Sequence, residues 1–106
     1  MNRWNIPEEI EKEIIQRDKN CVYCGTAMID KVHRGESRKS AATWEHIIND
    51  ETIVTIDNIA RCCAACNSSK GTKKLSEWIH SEYCQKRQIN KNTVAPVIRR
   101  ALRKGL

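Results

Sequence analysis

Two short cysteine units, Cys21-Val22-Tyr23-Cys24 and Cys63-Ala64-Ala65-Cys66, constrain this chain more than any other feature. Each brings two thiols to one point. Together they offer four sulfurs, the closed tetrahedral set that a structural zinc ion prefers. Gly25 follows the first unit and lets the backbone fold back beneath the sulfurs, as a metal knuckle requires. Cys62 leaves the register of the second unit open, because Cys62 and Cys66 also form a possible pair. On an extended approach Cys62 and Cys63 point to opposite sides, so only one can ligate, and the two-residue spacer favours Cys63. Cys84 reads as a helix cysteine packed against the final helix.

A chain of 106 residues reads as a single domain and buries only roughly two thirds of the surface that its unfolded form exposes. The core is thinned further by the absence of Phe and by 30% charged residues. Four zinc ligands offset that deficit, since such sites add an apparent ~10–16 kcal/mol of folding free energy in zinc-finger peptides. Residues 1–16 lack the basic start, long apolar run and cleavage site of a secretory signal. No run approaches the roughly 18 apolar residues of a membrane span. The expectation is a reducing cytoplasm, where such cysteines are metal ligands rather than disulfides. A net charge of +6 and a pI near 9.1 point to a polyanionic partner.

Helices are expected at about residues 7–17, 74–88 and 93–104. Ile6, Ile10 and Ile14 recur every four residues behind Pro7, Glu8 and Glu9, which suit a first turn. Leu75, Trp78, Ile79 and Tyr83 share helical spacing, as do Val94, Val97, Ile98, Ala101 and Leu102. The last helix also carries Arg99, Arg100, Arg103 and Lys104, either as a solvated face behind a docking stripe or as a DNA-contacting surface; the first reading is preferred. Residues 42–48 and the β-branched run at 52–56 read as a hairpin about Asn49 and Asp50, with a helix at 66–71. Residues 33–40 hold His33, Arg34, Arg38 and Lys39 without periodicity, and read as a solvated loop.

Between and just beyond the knuckles the chain reads Trp44-Glu45-His46-Ile47, then Asp57-Asn58-Ile59, then Cys66-Asn67-Ser68-Ser69-Lys70-Gly71. In order and spacing this resembles the zinc-containing HNH endonucleases, whose pattern is an acidic residue and His before a hydrophobic residue, a middle Asn, and Cys-Asn-x-x-Lys. The resemblance covers about half the chain. It implies a ββα-metal centre that hydrolyses DNA phosphodiester bonds with one divalent cation. Position by position, it makes His46 the general base, Glu45 and Asn67 the oxygen ligands of catalytic Mg²⁺ or Mn²⁺, and Asn58 the residue that ties down the loop between the strands and orients the base. Three features depart from the pattern. Glu45 stands where Asp is commoner, a proline after the His-hydrophobic pair is missing, and Asn49-Asp50-Glu51 replaces a Gly-rich turn.

Arg61, Lys70, Lys73 and Lys74 are the candidate phosphate contacts. Trp78 and Tyr83 fit a core stripe, and His33 and His80 read as surface residues. The expectation is therefore an α+β, zinc-stapled domain with a ββα-metal centre at residues 21–71, flanked by helices and cutting DNA. An inactive zinc-dependent DNA-binding module is the alternative, and a protein-interaction module is the third possibility.

Overall fold

Pro7, with φ −56°, starts α1, Glu8–Arg17, and Glu8, Glu9 and Glu11 set negative charge at the positive end of its dipole. In the computed structural model, which describes residues 4–35 and 37–106, the isoleucine stripe of α1 packs onto a two-stranded sheet. Ile6, Ile14 and Ile59 form a small buried cluster, closed by Trp4, Ile10, Trp44, Val54 and Ile56. Arg17 stitches the helix to the sheet: it holds both Asp18 oxygens at 2.7 and 2.8 Å and donates to the Ile56 and Ile59 carbonyls. Buried Asp18 in turn accepts the Arg61 amide at 3.1 Å.

The sheet is antiparallel, β1 Ala42–His46 against β2 Ile59–Cys63, in the register Ala42 to Cys63 through His46 to Ile59. The β-branched run at 52–56 is not the return strand. Its neighbouring backbone groups close local turns instead, Ile53 N–H to Asp50, and the Asn58 and Ile59 amides to Thr55. Val54 and Ile56 use their apolar branches to cover the α1 cluster, so hydrophobicity and β propensity there serve packing rather than a ladder.

Asn58 holds this long connection in shape. Its Oδ1 accepts the Ile48 amide at 2.7 Å, and its Nδ2 donates to the Ile53 and Ile48 carbonyls at 3.1 and 3.3 Å. Asn58 is 4% exposed, so truncation would strand those backbone groups with little access to water. Asn58→Ala should cost about 1–3 kcal/mol in denaturant unfolding. A loss near zero would mean that water replaces the side chain.

Helix α2, Ala64–Lys70, begins directly after β2, and Gly71 ends it at φ +53°. The stretch 74–88 is two helices rather than one, α3 Leu75–Trp78 and α4 Glu82–Lys86. Ser81 separates them, because its hydroxyl accepts the Cys84 amide and starts a new helix. Helix α5, Pro96–Arg103, buries Val97, Ile98 and Ala101 in the main core, with Val22, Tyr23, Leu75, Trp78 and Cys84. The Ala95 amide bonds the Val22 carbonyl at 2.9 Å and so ties the start of α5 to the first cysteine unit.

Residues 33–40 include one 3-10 turn, Arg38–Ser40, whose Arg38 and Lys39 are exposed; Glu36 lies outside the described residues. The protein is thus a small α+β molecule with a two-stranded sheet and, among the described residues, five α-helices. No helix among them is long and apolar enough to cross a membrane.

Candidate functional site

The four sulfurs of Cys21, Cys24, Cys63 and Cys66 lie within 4.8 Å of one another. Four ligands at about 2.3 Å from one ion occupy corners roughly 3.8 Å apart. The Cys24 and Cys63 sulfurs already stand at 3.7 Å, so the donor set and its spacing fit a closed structural metal such as zinc. The first knuckle is shaped by Gly25, at φ +77°, whose amide bonds the Cys21 carbonyl. The second straddles the junction of β2 and α2, which carries the chain from Cys63 at the strand end to Cys66 in the first turns of the helix.

Cys62 points away from this cluster. It is fully buried, within 3.6 Å of the Thr43 hydroxyl, and burial together with the Glu45 charge pushes its thiol well up, leaving it protonated. Strand alternation therefore sorts the adjacent cysteines as the two-residue spacer suggested. Cys21 behaves in the opposite way. A hydrogen bond from the Cys66 thiol pulls it down to about 5, which favours one thiolate before any metal arrives. Tyr83 adds a contact that a core-stripe reading did not foresee: its hydroxyl donates to the Cys66 sulfur at 3.2 Å, and Arg87 stacks on its ring. Cys84 is buried in the main core with residues of α5.

Beside the cluster, a cavity of about 390 Å³ opens at the outer edge of β1. Arg61 spends its amide on Asp18, which makes Trp44 and Arg61 a pair whose backbone groups point outward from the ladder. The Trp44 carbonyl consequently faces α2, where it accepts the Asn67 Nδ2 at 3.2 Å. Thr43 accepts from the same nitrogen at 2.9 Å. A carbonyl can only accept, so these contacts fix which way the amide lies and leave Asn67 Oδ1 without a donor among the described residues. Asn67 is thus not a helix cap, since it sits inside α2.

Glu45, His46 and Asn67 all line this cavity, with Trp4, Trp44, Asn49, Glu51 and Gly71. Glu45 is 5% exposed. Its Oε2 accepts the Tyr23 hydroxyl at 2.6 Å and lies 3.6 Å from the Lys70 ammonium, while Oε1 has no donor among the described residues. Burial raises the carboxyl above its ordinary value, and Lys70 and Tyr23 oppose that rise. Tyr23 lies between the two cysteines of the first knuckle, so the metal cluster and this carboxylate share one rigid segment.

His46 pairs with Ile59 across the ladder and packs against the edge of the Trp4 ring, at 5.1 Å between centroids. Its Nε2 is buried and has no hydrogen-bond partner among the described residues. Burial pushes the imidazole below its ordinary value, against the pull of Glu51 and Asp50. A neutral ring with an unmet nitrogen is uncommon inside a protein, where the great majority of buried polar atoms are paired.

The four basic candidates do not share a face. Lys70 is fully buried, donating to the Ile47 carbonyl at 3.2 Å and pairing with Glu45, so it is an internal counter-charge and not a phosphate contact. Arg61 lies over the Trp44 ring and pairs with Asp30 in a separate hollow that also holds Asp18, away from the Glu45 cavity. Lys73 and Lys74 are exposed beyond Gly71. Asn58 is absent from the cavity wall; it acts through the 48–58 connection.

No family model matches this chain, and no curated protein or solved structure matches it either. Its function must be argued from its own geometry. Within that geometry, sequence reasoning missed Tyr23, Thr43 and Glu51. Tyr23 carried a usable signal, because a tyrosine inside a knuckle needs a partner for its hydroxyl once buried. Thr43 and Glu51 carried none, since each acquires its neighbour only through the packing of α2 and the turn after β1.

Proposed function

We propose that this protein is a metal-dependent DNA endonuclease of the HNH type, with His46 as general base. The observation that carries the reading is that His46, whose buried Nε2 has no partner among the described residues, lines a cavity together with Glu45 and Asn67. An imidazole held neutral by burial can accept a proton near neutral pH, and its Nε2 is committed to no other group among the described residues.

Glu45 Oε1 and Asn67 Oδ1 are the donors that would hold a divalent cation. Two protein oxygens fit a hard ion such as Mg²⁺ or Mn²⁺, which keeps several waters and takes further oxygens from substrate phosphate. When bound, such an ion supplies Lewis-acid stabilisation of charge on the phosphate and leaving oxygen. The chain contributes the rest. Tyr23 and Lys70 hold one carboxylate oxygen, so the other is presented in a fixed direction. The Trp44 carbonyl orients the Asn67 amide, and the Asn58 clamp steadies the connection that follows His46.

Incubation of the zinc-loaded protein with supercoiled plasmid should yield nicked or linear DNA when Mg²⁺ or Mn²⁺ is added, and none without it. DNA binding with no cutting under any divalent cation would overturn the enzyme reading in favour of an inactive binding module. The protein-interaction alternative predicts negligible affinity for DNA even at low salt.

A further inference from the structure

We infer that the C-terminal half of α5 forms a second DNA contact, joined to the Glu45 cavity by one basic groove; the inference rests on the nuclease reading. Three hollows adjoin by sharing wall residues. Asn49 belongs both to the catalytic cavity and to a hollow of about 350 Å³ rimmed by Lys73 and Lys74. Ile48 and Leu106 belong both to that hollow and to a third, of about 220 Å³, rimmed by Arg100 and Lys104. Adjoining hollows therefore lead from His46 past two lysines to the end of α5.

Its chemistry suits a phosphate backbone. The middle hollow has no acidic side chain on its wall, and Lys74 and Lys104 make no ion pair among the described residues. Arg100 reaches Asp57 at 3.7 Å, but both side chains are at least half exposed, so that pair is weak and a phosphate can replace the carboxylate. The floor is largely apolar, and the one acceptor that the exposed Lys73 side chain has among the described residues is the Ser69 carbonyl at 3.1 Å, which leaves its charge unneutralised. The apolar side of α5 is consumed by the core, while Arg100 and, just past the helix end, Lys104 line the third hollow. The molecule is 34 Å in its longest dimension, so the path spans fewer than about ten nucleotides at roughly 3.4 Å per phosphate along one strand. The charge fits a phosphate backbone, and the proposed nuclease reading makes duplex DNA the committed partner.

The test is binding of a fluorescent 20-base-pair duplex by anisotropy, with no added divalent cation, over a series of salt concentrations. The parent is compared with Lys73→Ala/Lys74→Ala, with Arg100→Ala/Lys104→Ala, and with Lys12→Ala/Lys86→Ala. The last removes equal charge from exposed side chains that line none of the three hollows. Each groove variant should bind several-fold more weakly at low salt. Each should also flatten the slope of log K against log salt by about 0.9 for every phosphate that the variant no longer neutralises. The control should keep the parent slope. Equal slopes for the Arg100→Ala/Lys104→Ala protein and the control would overturn the α5 contact while leaving the nuclease reading intact. Tighter binding of an RNA duplex of the same length would overturn the commitment to DNA. If the parent shows no salt-dependent binding at all, both readings fall together, whereas binding without cutting removes only the enzyme.

Discussion

Cys66→Ser protein, or the parent after metal is stripped by a chelator, should lose its cooperative thermal transition and most of its helical circular dichroism. Cys21, Cys63 and Cys66 are buried within the main core, and the cluster gathers the first knuckle, the end of β2 and the start of α2 at one point. Without a metal, these thiols are left with only weak bonds to one another and to Tyr83. Structural zinc contributes an apparent ~10–16 kcal/mol in small zinc peptides. A whole domain has only about 5–15 kcal/mol of net stability, so the metal-free chain should be largely unfolded. Cys62→Ala is the matched control. It should keep one metal per chain and lose only the modest stability of a buried thiol. A metal-free protein that still melts cooperatively at the parent temperature would remove the structural role of the cluster.

His46→Ala should lower the rate of DNA cleavage by about 10²–10⁴, the usual contribution of a positioned general base. Its affinity for duplex DNA without divalent cation should be unchanged. His46 packs against Ile59 and Trp4, so truncation leaves a void, and His46→Gln provides a fuller side chain with no comparable basicity. Metal content and the melting transition of both variants establish that they are folded. Equal cutting by parent and both variants would place the base elsewhere or trace the activity to a contaminant. A drop in cutting matched by an equal drop in DNA affinity would make His46 a binding residue.

The two knuckles and the terminal helices were legible because each depends on residues near one another in the chain. A Cys-x-x-Cys unit with a following glycine closes locally, and the Ile6, Ile10 and Ile14 stripe needs only helical geometry and one apolar neighbour. The same locality misled at residues 52–56. Five residues with strong β character make no strand, because β1 is paired with Ile59–Cys63 and Asn58 holds the intervening chain in turns. The break at Ser81 was hidden for a related reason. The apolar spacing of Leu75, Trp78, Ile79 and Tyr83 continues smoothly across it, while the capping hydroxyl interrupts the backbone.

Among the candidate site residues, Glu45, His46 and Asn67 were singled out by the resemblance to HNH endonucleases, and the fold brings all three to one cavity wall. The basic residues were not sortable in this way. Lys70 and Lys73 are three apart on a short segment, yet one is fully buried against Glu45 and the other is exposed. Sequence by itself determined the donor chemistry of the protein: four soft sulfurs in two local pairs, a neighbouring carboxylate and imidazole, and a surplus of positive charge. Tertiary structure decided which charges meet water, which oxygen of Glu45 is free, and which carbonyl orients the Asn67 amide. Those outcomes depend on desolvation and on partners distant along the chain, and neither is encoded in the spacing of neighbouring residues.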